Sequence, residues 1–193
     1  MNINDVVVVV SPEMKKFFCD RTNRHIDLVR KYAGLIADEF PQLSGVVDQA
    51  AVHDDSKFKN PEYLPYIFVT WNYKCKDDGV DYSIPDHIDD TAATSHHVKS
   101  NRHHPEFHDP NKDREMINKD DRDSPPDEIV DGSGMSDVDV AEMVADWCAM
   151  SEERGNSPKD WADKNVNIRW KFNDGQVSLI YGLIDSVWRD CEG

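Results

Sequence analysis

The sequence predicts one mainly α-helical domain. Apolar residues recur at helical spacing in several segments, and residues that favour helix starts, such as Ser11-Pro12 and Ser136, precede two of them. The length of 193 residues fits a single domain with a sizeable core. The hydrophobic fraction is only 38%, but five Trp, six Tyr and seven Phe supply core material. We therefore expect one domain over residues 1–193, with an acidic insertion at about residues 109–134.

The N-terminal half predicts a strand followed by four helices. The valine run at residues 6–10 suits a short strand, which can also pair between subunits of a homo-oligomer. A helix is expected over residues 12–40, because one stripe contains Phe18, His25, Val29, Tyr32, Ile36 and Phe40. His25 therefore points inward with its apolar neighbours. Further helices are expected at about residues 44–52, 61–73 and 89–100.

The C-terminal half predicts three more helices and one extended segment. Residues 109–134 are mostly charged and include Pro125-Pro126, which indicates an irregular insertion. Ser136 is expected to cap a helix over residues 137–153, followed by a short helix at 157–161 and a final helix at 174–189. Apolar and polar residues alternate over residues 166–172. This segment could form a short two-stranded β element with the N-terminal valine run.

The net charge limits the partners of the protein. The chain carries 22 Lys and Arg against 38 Asp and Glu, for a formal charge of −16. Such a chain lacks the cations that release counterions from phosphates, so duplex nucleic acid is not expected as a partner. Docking on anionic membranes is disfavoured for the same reason. No stretch approaches the ~20 apolar residues of a membrane span.

The four cysteines are scattered and form no C-x-x-C pair, so a zinc knuckle or a dithiol redox site is not indicated. Reduced thiols are expected, although the even count permits two disulfides. The valine run has no basic region before it and makes a poor secretory signal. The expected location is the cytoplasm of a bacterium or of a phage-infected host cell.

Most of the negative charge lies in two segments. Residues 77–90 carry six acids and no Lys or Arg, a charge of −6, and residues 109–134 carry nine acids against four bases, a charge of −5. Both segments flank a cluster of histidines. A small anionic substrate therefore remains admissible if cations are bound between them.

The histidines and two aspartates indicate a metal site. Five of the eight histidines fall within residues 96–108, and His53-Asp54 offers one nitrogen and one oxygen ligand side by side. Asp146 lies on a mainly apolar helix, where a carboxylate is costly to bury without a cation or donors. Imidazole and carboxylate together suit divalent transition metals.

The order of these residues resembles that of the HD-domain metal-dependent phosphohydrolases. An early His25, the pair His53-Asp54 and a late Asp146 match the family's ligands. The sequence also resembles the two-metal branch that includes the HD-GYP cyclic-dinucleotide phosphodiesterases. It lacks their Gly-Tyr-Pro motif, so specificity for cyclic di-GMP is not carried over.

The closer likeness is to a phage and bacterial family of HD-like proteins. Its patterns His-Asp-x-Ser-Lys-Phe, His-x-x-x-Asn-x-His-His and Glu-Met-Val-Ala-Asp-Trp match residues 53–58, 97–104 and 142–147. The resemblance covers about residues 20–155. It implies a helical bundle of the HD-domain type that holds one or two divalent ions, from Mn, Fe, Co, Zn or Mg.

The resemblance also implies roles for individual residues. The first metal would be bound by His25, His53, Asp54 and Asp146. The second would be bound by His97, His103 and His104, with Asp54 bridging. Lys57 would donate to a substrate phosphate or to the leaving oxygen, and Asn101 and Arg102 are secondary candidates for substrate contact.

Several alternatives stay open at this point. His97 fits the family spacing better than its neighbour His96, and one of His103 and His104 could support the other rather than bind metal. His87 and His108 are expected at the surface, and the tryptophans in the core. The leading function is hydrolysis of a nucleotide or similar small phosphate ester. The alternatives are a mixed-valence di-iron oxygenase and a non-catalytic nucleotide-binding protein.

Overall fold

The fold, in a computed structural model that describes residues 10–111 and 129–188, is mainly α-helical, as predicted. The helices are α1 (Pro12–Glu39), α2 (Gly45–Ala50), α3 (Tyr63–Asp77), α4 (Asp90–Ser100), α5 (Pro105–His108), α6 (Asp137–Arg154), α7 (Pro158–Asn165) and α8 (Asp174–Val187). Two short strands, β1 (Val130–Asp131) and β2 (Trp170–Lys171), pair in parallel.

The first helix begins where its sequence predicts. The Met14 amide donates to Ser11 Oγ at 3.1 Å, and Pro12 occupies the first turn, where its missing N–H costs nothing. The helix ends at Glu39, one residue before the predicted end. Its buried face includes His25, as the stripe indicated.

The helix α6 lies at the centre of the fold. Ser136 and Asp139 form a capping box at its start, and Gly155, with φ of 67°, ends it in the left-handed conformation that glycine adopts without strain. Most of its circumference is buried, and it packs along α1 and α8. The helices α1 and α6 are therefore the rigid supports for any side chain that they direct inward.

Two apolar clusters meet along α1. The larger one joins the C-terminal half of α1 to α2, α6 and α8, and includes Val29 and Ile36. The smaller one joins the N-terminal half of α1 to α3, and includes Phe18 and Ile67. His25 lies on α1 between Phe18 and Val29, so it marks the boundary between the two clusters.

The structure differs from the prediction in several boundaries. The helix α3 continues to Asp77 and α7 to Asn165, while α5 was not predicted. Within the described residues, the predicted extended segment pairs with the insertion, Trp170 with Val130. The valines at 6–9, residues 112–128 of the insertion and the end of the predicted last helix lie outside the described residues.

None of the helices in the described ranges is both long and apolar enough to cross a membrane. Cys19, Cys75 and Cys148 carry free thiols. Cys191 lies outside the described residues.

Candidate metal centre

The pair His53-Asp54 sits in the turn between α2 and Asp55–Phe58. Asp54 has φ of 60° and ψ of 10°, a left-handed conformation that costs a non-glycine residue about 1–3 kcal/mol. Asp tolerates this conformation better than most residues. His53 and Asp54 are only 2% and 1% exposed, so the strained turn places two adjacent polar side chains in the interior.

The two carboxylate oxygens of Asp54 face different pairs of histidines. Asp54 Oδ2 lies 3.9 Å from His25 Nε2 and 3.8 Å from His53 Nε2. Asp54 Oδ1 lies 3.2 Å from His97 Nε2 and 3.9 Å from His103 Nε2. A carboxylate in this position can bridge two cations, one on each side.

Two groups of ligand atoms surround Asp54. The ligand atoms of His25, His53 and Asp54 lie within 4.8 Å of one another, and Asp146 Oδ1 lies 3.0 Å from His25 Nε2. A second group within the same distance comprises His97, His103 and His104. The structure thus brings together all seven residues that the sequence analysis assigned to metal binding.

A set of carboxylates on the outer side of the histidines was missed by the sequence analysis. Glu142 Oε1 lies 2.9 Å from His53 Nδ1 and 3.4 Å from His103 Nδ1. Glu62 lies 2.9 Å from His97 Nδ1, and Glu153 lies 3.5 Å from His25 Nδ1. Such contacts fix the ring orientation and leave Nε2 to point at a metal.

The position of one of these carboxylates, Glu142, could have been predicted from the sequence. Glu142 lies four residues before Asp146 on the same helix, so both share one face of α6. Glu62, fully buried before α3, had no such signal, since nothing near it in the sequence indicates His97 as its partner.

The unsatisfied polar atoms of the centre fit bound cations. His53 Nε2, Asp54 Oδ1 and His104 Nε2 are buried and have no hydrogen-bond partner among the described residues. Leaving three such atoms unpaired in one place is costly. Imidazole nitrogen and carboxylate oxygen are the donors that Mn, Fe, Co and Zn prefer, so these groups could hold a metal ion.

Several ligands are in the protonation state that metal binding requires. Burial lowers the pKa of His97 to about 4, helped by Lys57, and lowers that of His104 as well. Burial disfavours the charged carboxylate of Asp146, but hydrogen bonding and charge from His25 outweigh it and lower its pKa. These imidazoles are neutral and this carboxylate is ionised near neutral pH.

The pKa values of His25 and His103 are raised, in contrast to those of His97 and His104. Burial disfavours the imidazolium of His25, but Asp146 and Glu153 outweigh this and raise its pKa to about 9. The pKa of His103 is also raised, with Glu142 as the main opposing cause to burial. The ring of His25 therefore holds a proton that a bound metal ion would have to displace.

Lys57 lies beside the bridging carboxylate. Its ammonium donates to Asp54 Oδ2 and lies 5.3 Å from the centre of the Tyr66 ring. The side chain is 20% exposed and lines a cavity of about 290 Å³ that also reaches His25, His97 and Asp146. Lys57 is thus placed to meet an anionic group that enters this cavity.

The other predicted substrate contacts and the remaining histidines lie elsewhere. Asn101 Nδ2 donates to Ser56 Oγ at 2.9 Å, and neither Asn101 nor Arg102 lines the cavity. The side chain of His96 is 43% exposed, and its Nδ1 lies 2.7 Å from Glu62 Oε1. His108, expected at the surface, is half-buried, and its Nε2 donates to Arg102 O at 2.9 Å.

Arg102 instead holds the histidine loop against α6. Its Nε and Nη2 donate to the two oxygens of Asp139 at 2.9 and 3.0 Å. Asp139 is fully buried and also accepts from Gln49 and Ser136. Because His103 follows Arg102 directly, this ion pair fixes the second histidine group relative to Glu142.

Replacing Arg102 by alanine is expected to destabilise the fold, since a buried carboxylate loses a bidentate donor. The cost of about 2 kcal/mol corresponds to a Tm lower by about 4–8 °C in a domain of this size. Thermal unfolding followed by circular dichroism measures it. Lys16→Ala, which breaks an exposed ion pair with Asp20, is the control and should leave Tm unchanged. Equal Tm values for the two variants would contradict the structural role of Arg102.

Comparison with known proteins identifies a family whose function is unknown. The model of a family described as "Family of unknown function (DUF5662)" matches residues 14–185. Searches of the curated proteins and of the solved structures gave no match. The functional conclusion therefore rests on the geometry of the centre.

Proposed function

We propose that the chain, which belongs to the DUF5662 family of unknown function, is a metal-dependent phosphohydrolase or phosphodiesterase of the HD-domain type. Its substrate would be a nucleotide or a similar small phosphate ester. The observation that carries the proposal is Asp54, whose two oxygens face two histidine groups while Lys57 stands beside it at a cavity.

The donor set supports hydrolysis at phosphorus. Divalent ions held at such a centre lower the pKa of bound water and neutralise phosphoryl oxygens. In this chain Asp54 orients both ligand groups, while Glu142 and Glu62 hold the histidine rings from behind. Burial lowers the pKa of Lys57, but Asp54 outweighs this and raises it, so the ammonium stays charged and can donate to a phosphate or leaving oxygen.

The cavity supports a small substrate. Its volume of about 290 Å³ lies at the lower end of the range for small-molecule sites. Outside the metal-binding groups it is lined by four further cations, Arg21, Lys99, Arg154 and Arg169. Three carboxylates outside the candidate ligands, Glu106, Asp109 and Glu153, line the cavity as well. The positive charge of bound divalent ions, added to these cations, would favour an anionic ligand.

The test is metal analysis of the purified protein, followed by phosphate release from nucleotides and simple phosphate esters with Mn, Co, Fe, Mg or Zn. We expect bound metal, and phosphate release that EDTA abolishes. His53→Ala should lose both, while His87→Ala, at an exposed histidine outside the centre, should keep both.

Three results would overturn the proposal. Unchanged metal content in His53→Ala would place the metal elsewhere. Iron-dependent consumption of O₂ without phosphate release would indicate a di-iron oxygenase. Tight nucleotide binding without turnover with every metal would indicate a binding protein.

A further inference from the structure

Three indole rings line the cavity that also reaches the candidate metal centre. Trp147 and Trp170 stack with ring centres 5.7 Å apart and planes inclined by 21°. Trp161 lies 6.3 Å from Trp170 and is inclined by 59°. Trp147 and Trp170 are 6% and 8% exposed, whereas Trp161 is half-buried. We call these three side chains the indole wall.

The indole wall and several of the proposed ligands line the same cavity. Trp147 follows Asp146 in α6, and Trp170 Nε1 donates to Glu106 Oε1 at 2.9 Å, two residues after His104. This hydrogen bond holds the ring of Trp170, on which Trp147 stacks. Trp161 lies on α7 and lines the same cavity as His25 and Lys57, so a ligand that fills this cavity would contact both the centre and Trp161.

The surroundings of the wall suit a polar aromatic ring better than an alkyl chain. Arg154, Asn156 and Arg169 line the same cavity and carry hydrogen-bond donors. The faces of indole rings bind planar π systems through stacking that tolerates different ring substituents.

We propose that the indole wall binds a planar heteroaromatic ring that is attached to the phosphate-bearing part of the substrate. This deepens the proposed function and rests on it. Among small phosphate esters it selects those that carry a base, such as nucleoside monophosphates, over sugar phosphates. Trp161 is the specificity-determining residue, because its partner rings Trp147 and Trp170 already cover one another.

The test compares ligand binding to Trp161 variants with and without metal. The four nucleoside 5′-monophosphates and ribose 5-phosphate are titrated by calorimetry, and quenching of tryptophan fluorescence is followed in parallel. We expect Trp161→Ala to raise the Kd of at least one nucleoside monophosphate by about tenfold. Trp161→Phe should restore part of the affinity, and the Kd of ribose 5-phosphate should not change.

Trp71 provides a matched control. It is also half-buried, but it packs edge-on against Phe17, 6.1 Å away, and does not line the cavity. Trp71→Ala should leave every Kd unchanged.

The outcomes separate this inference from the proposed function. An equal loss of affinity for ribose 5-phosphate and nucleotides in Trp161→Ala, or no loss for either, overturns the indole wall as a ring site. Phosphate release from nucleotides that is unchanged in Trp161→Ala also overturns the ring site, but it leaves the proposed hydrolase function intact. Nucleotide binding that depends on Trp161 without any turnover supports the ring site and overturns the hydrolase.

Discussion

Asp54→Ala is expected to remove metal from both ligand groups and to reduce phosphate release by more than about 100-fold. Loss of an outer partner of a ligand typically costs about 10–100-fold in metal affinity or activity, and a shared ligand should cost more. Asp54 is the side chain whose oxygens approach His25 and His53 on one side and His97 and His103 on the other. Metal content by mass spectrometry and the rate of phosphate release measure the two effects.

The experiment also needs a variant that preserves the backbone conformation of residue 54. Asparagine also tolerates the left-handed conformation of residue 54, so Asp54→Asn preserves the turn while it removes the charge and one oxygen. We expect it to bind less metal than the native protein. Asp55→Asn, at the exposed neighbouring residue, is the matched control and should retain metal and activity. Unchanged metal content in Asp54→Ala would contradict the bridging role.

Two of the candidate metal ligands were accessible from the sequence because they lie on strongly patterned helices. His25 falls on the apolar stripe of α1, and Asp146 falls among buried residues of α6. Both helices are bounded by clear caps, at Ser11 and Ser136. The periodicity therefore indicated which of their polar residues point inward, and the resemblance supplied the rest.

The carboxylates behind the histidines depend on contacts between distant segments. Glu62 meets His97 across 35 positions of the chain, and Glu142 meets His53 across 89. No local pattern encodes such pairs. The same reason explains Arg102, whose guanidinium reaches a buried Asp139 that the sequence presents only as part of a helix cap.

The two short β-strands could be predicted from the sequence only in part, for a different reason. Alternation at residues 166–172 indicated an extended segment, but only Trp170–Lys171 forms a strand. Its partner, Val130–Asp131, is a two-residue strand in a charged stretch with no alternation to reveal it. Strands this short are set by tertiary packing, here by Gly132, which lies against Phe172 and Pro105 and has no room for a side chain.

Removing the metal with EDTA is expected to lower Tm by about 8–16 °C. An ion that binds the folded protein stabilises it by about 4 kcal/mol at a free concentration of about 1,000 times Kd, and each kcal/mol shifts Tm by about 2–4 °C at this size. The structural reason is that Asp54 Oδ1 and His53 Nε2 are buried without a hydrogen-bond partner among the described residues, and a bound cation would satisfy them. Calorimetry with EDTA and with Mn²⁺ measures the difference, and His53→Ala should show a much smaller one.

This Tm increment should grow as pH rises from 6 to 9. The pKa of His25 is about 9 in the metal-free fold, above its ordinary 6.5, so its proton stabilises that fold below pH 6.5 and the contribution is lost as pH rises through 9. The same proton competes with the metal for Nε2, and this competition weakens over the same range. Both effects act in one direction, so Mn²⁺ should raise Tm more at pH 8.5 than at pH 6. An increment that is constant or falls with pH would show that His25 is not a metal ligand.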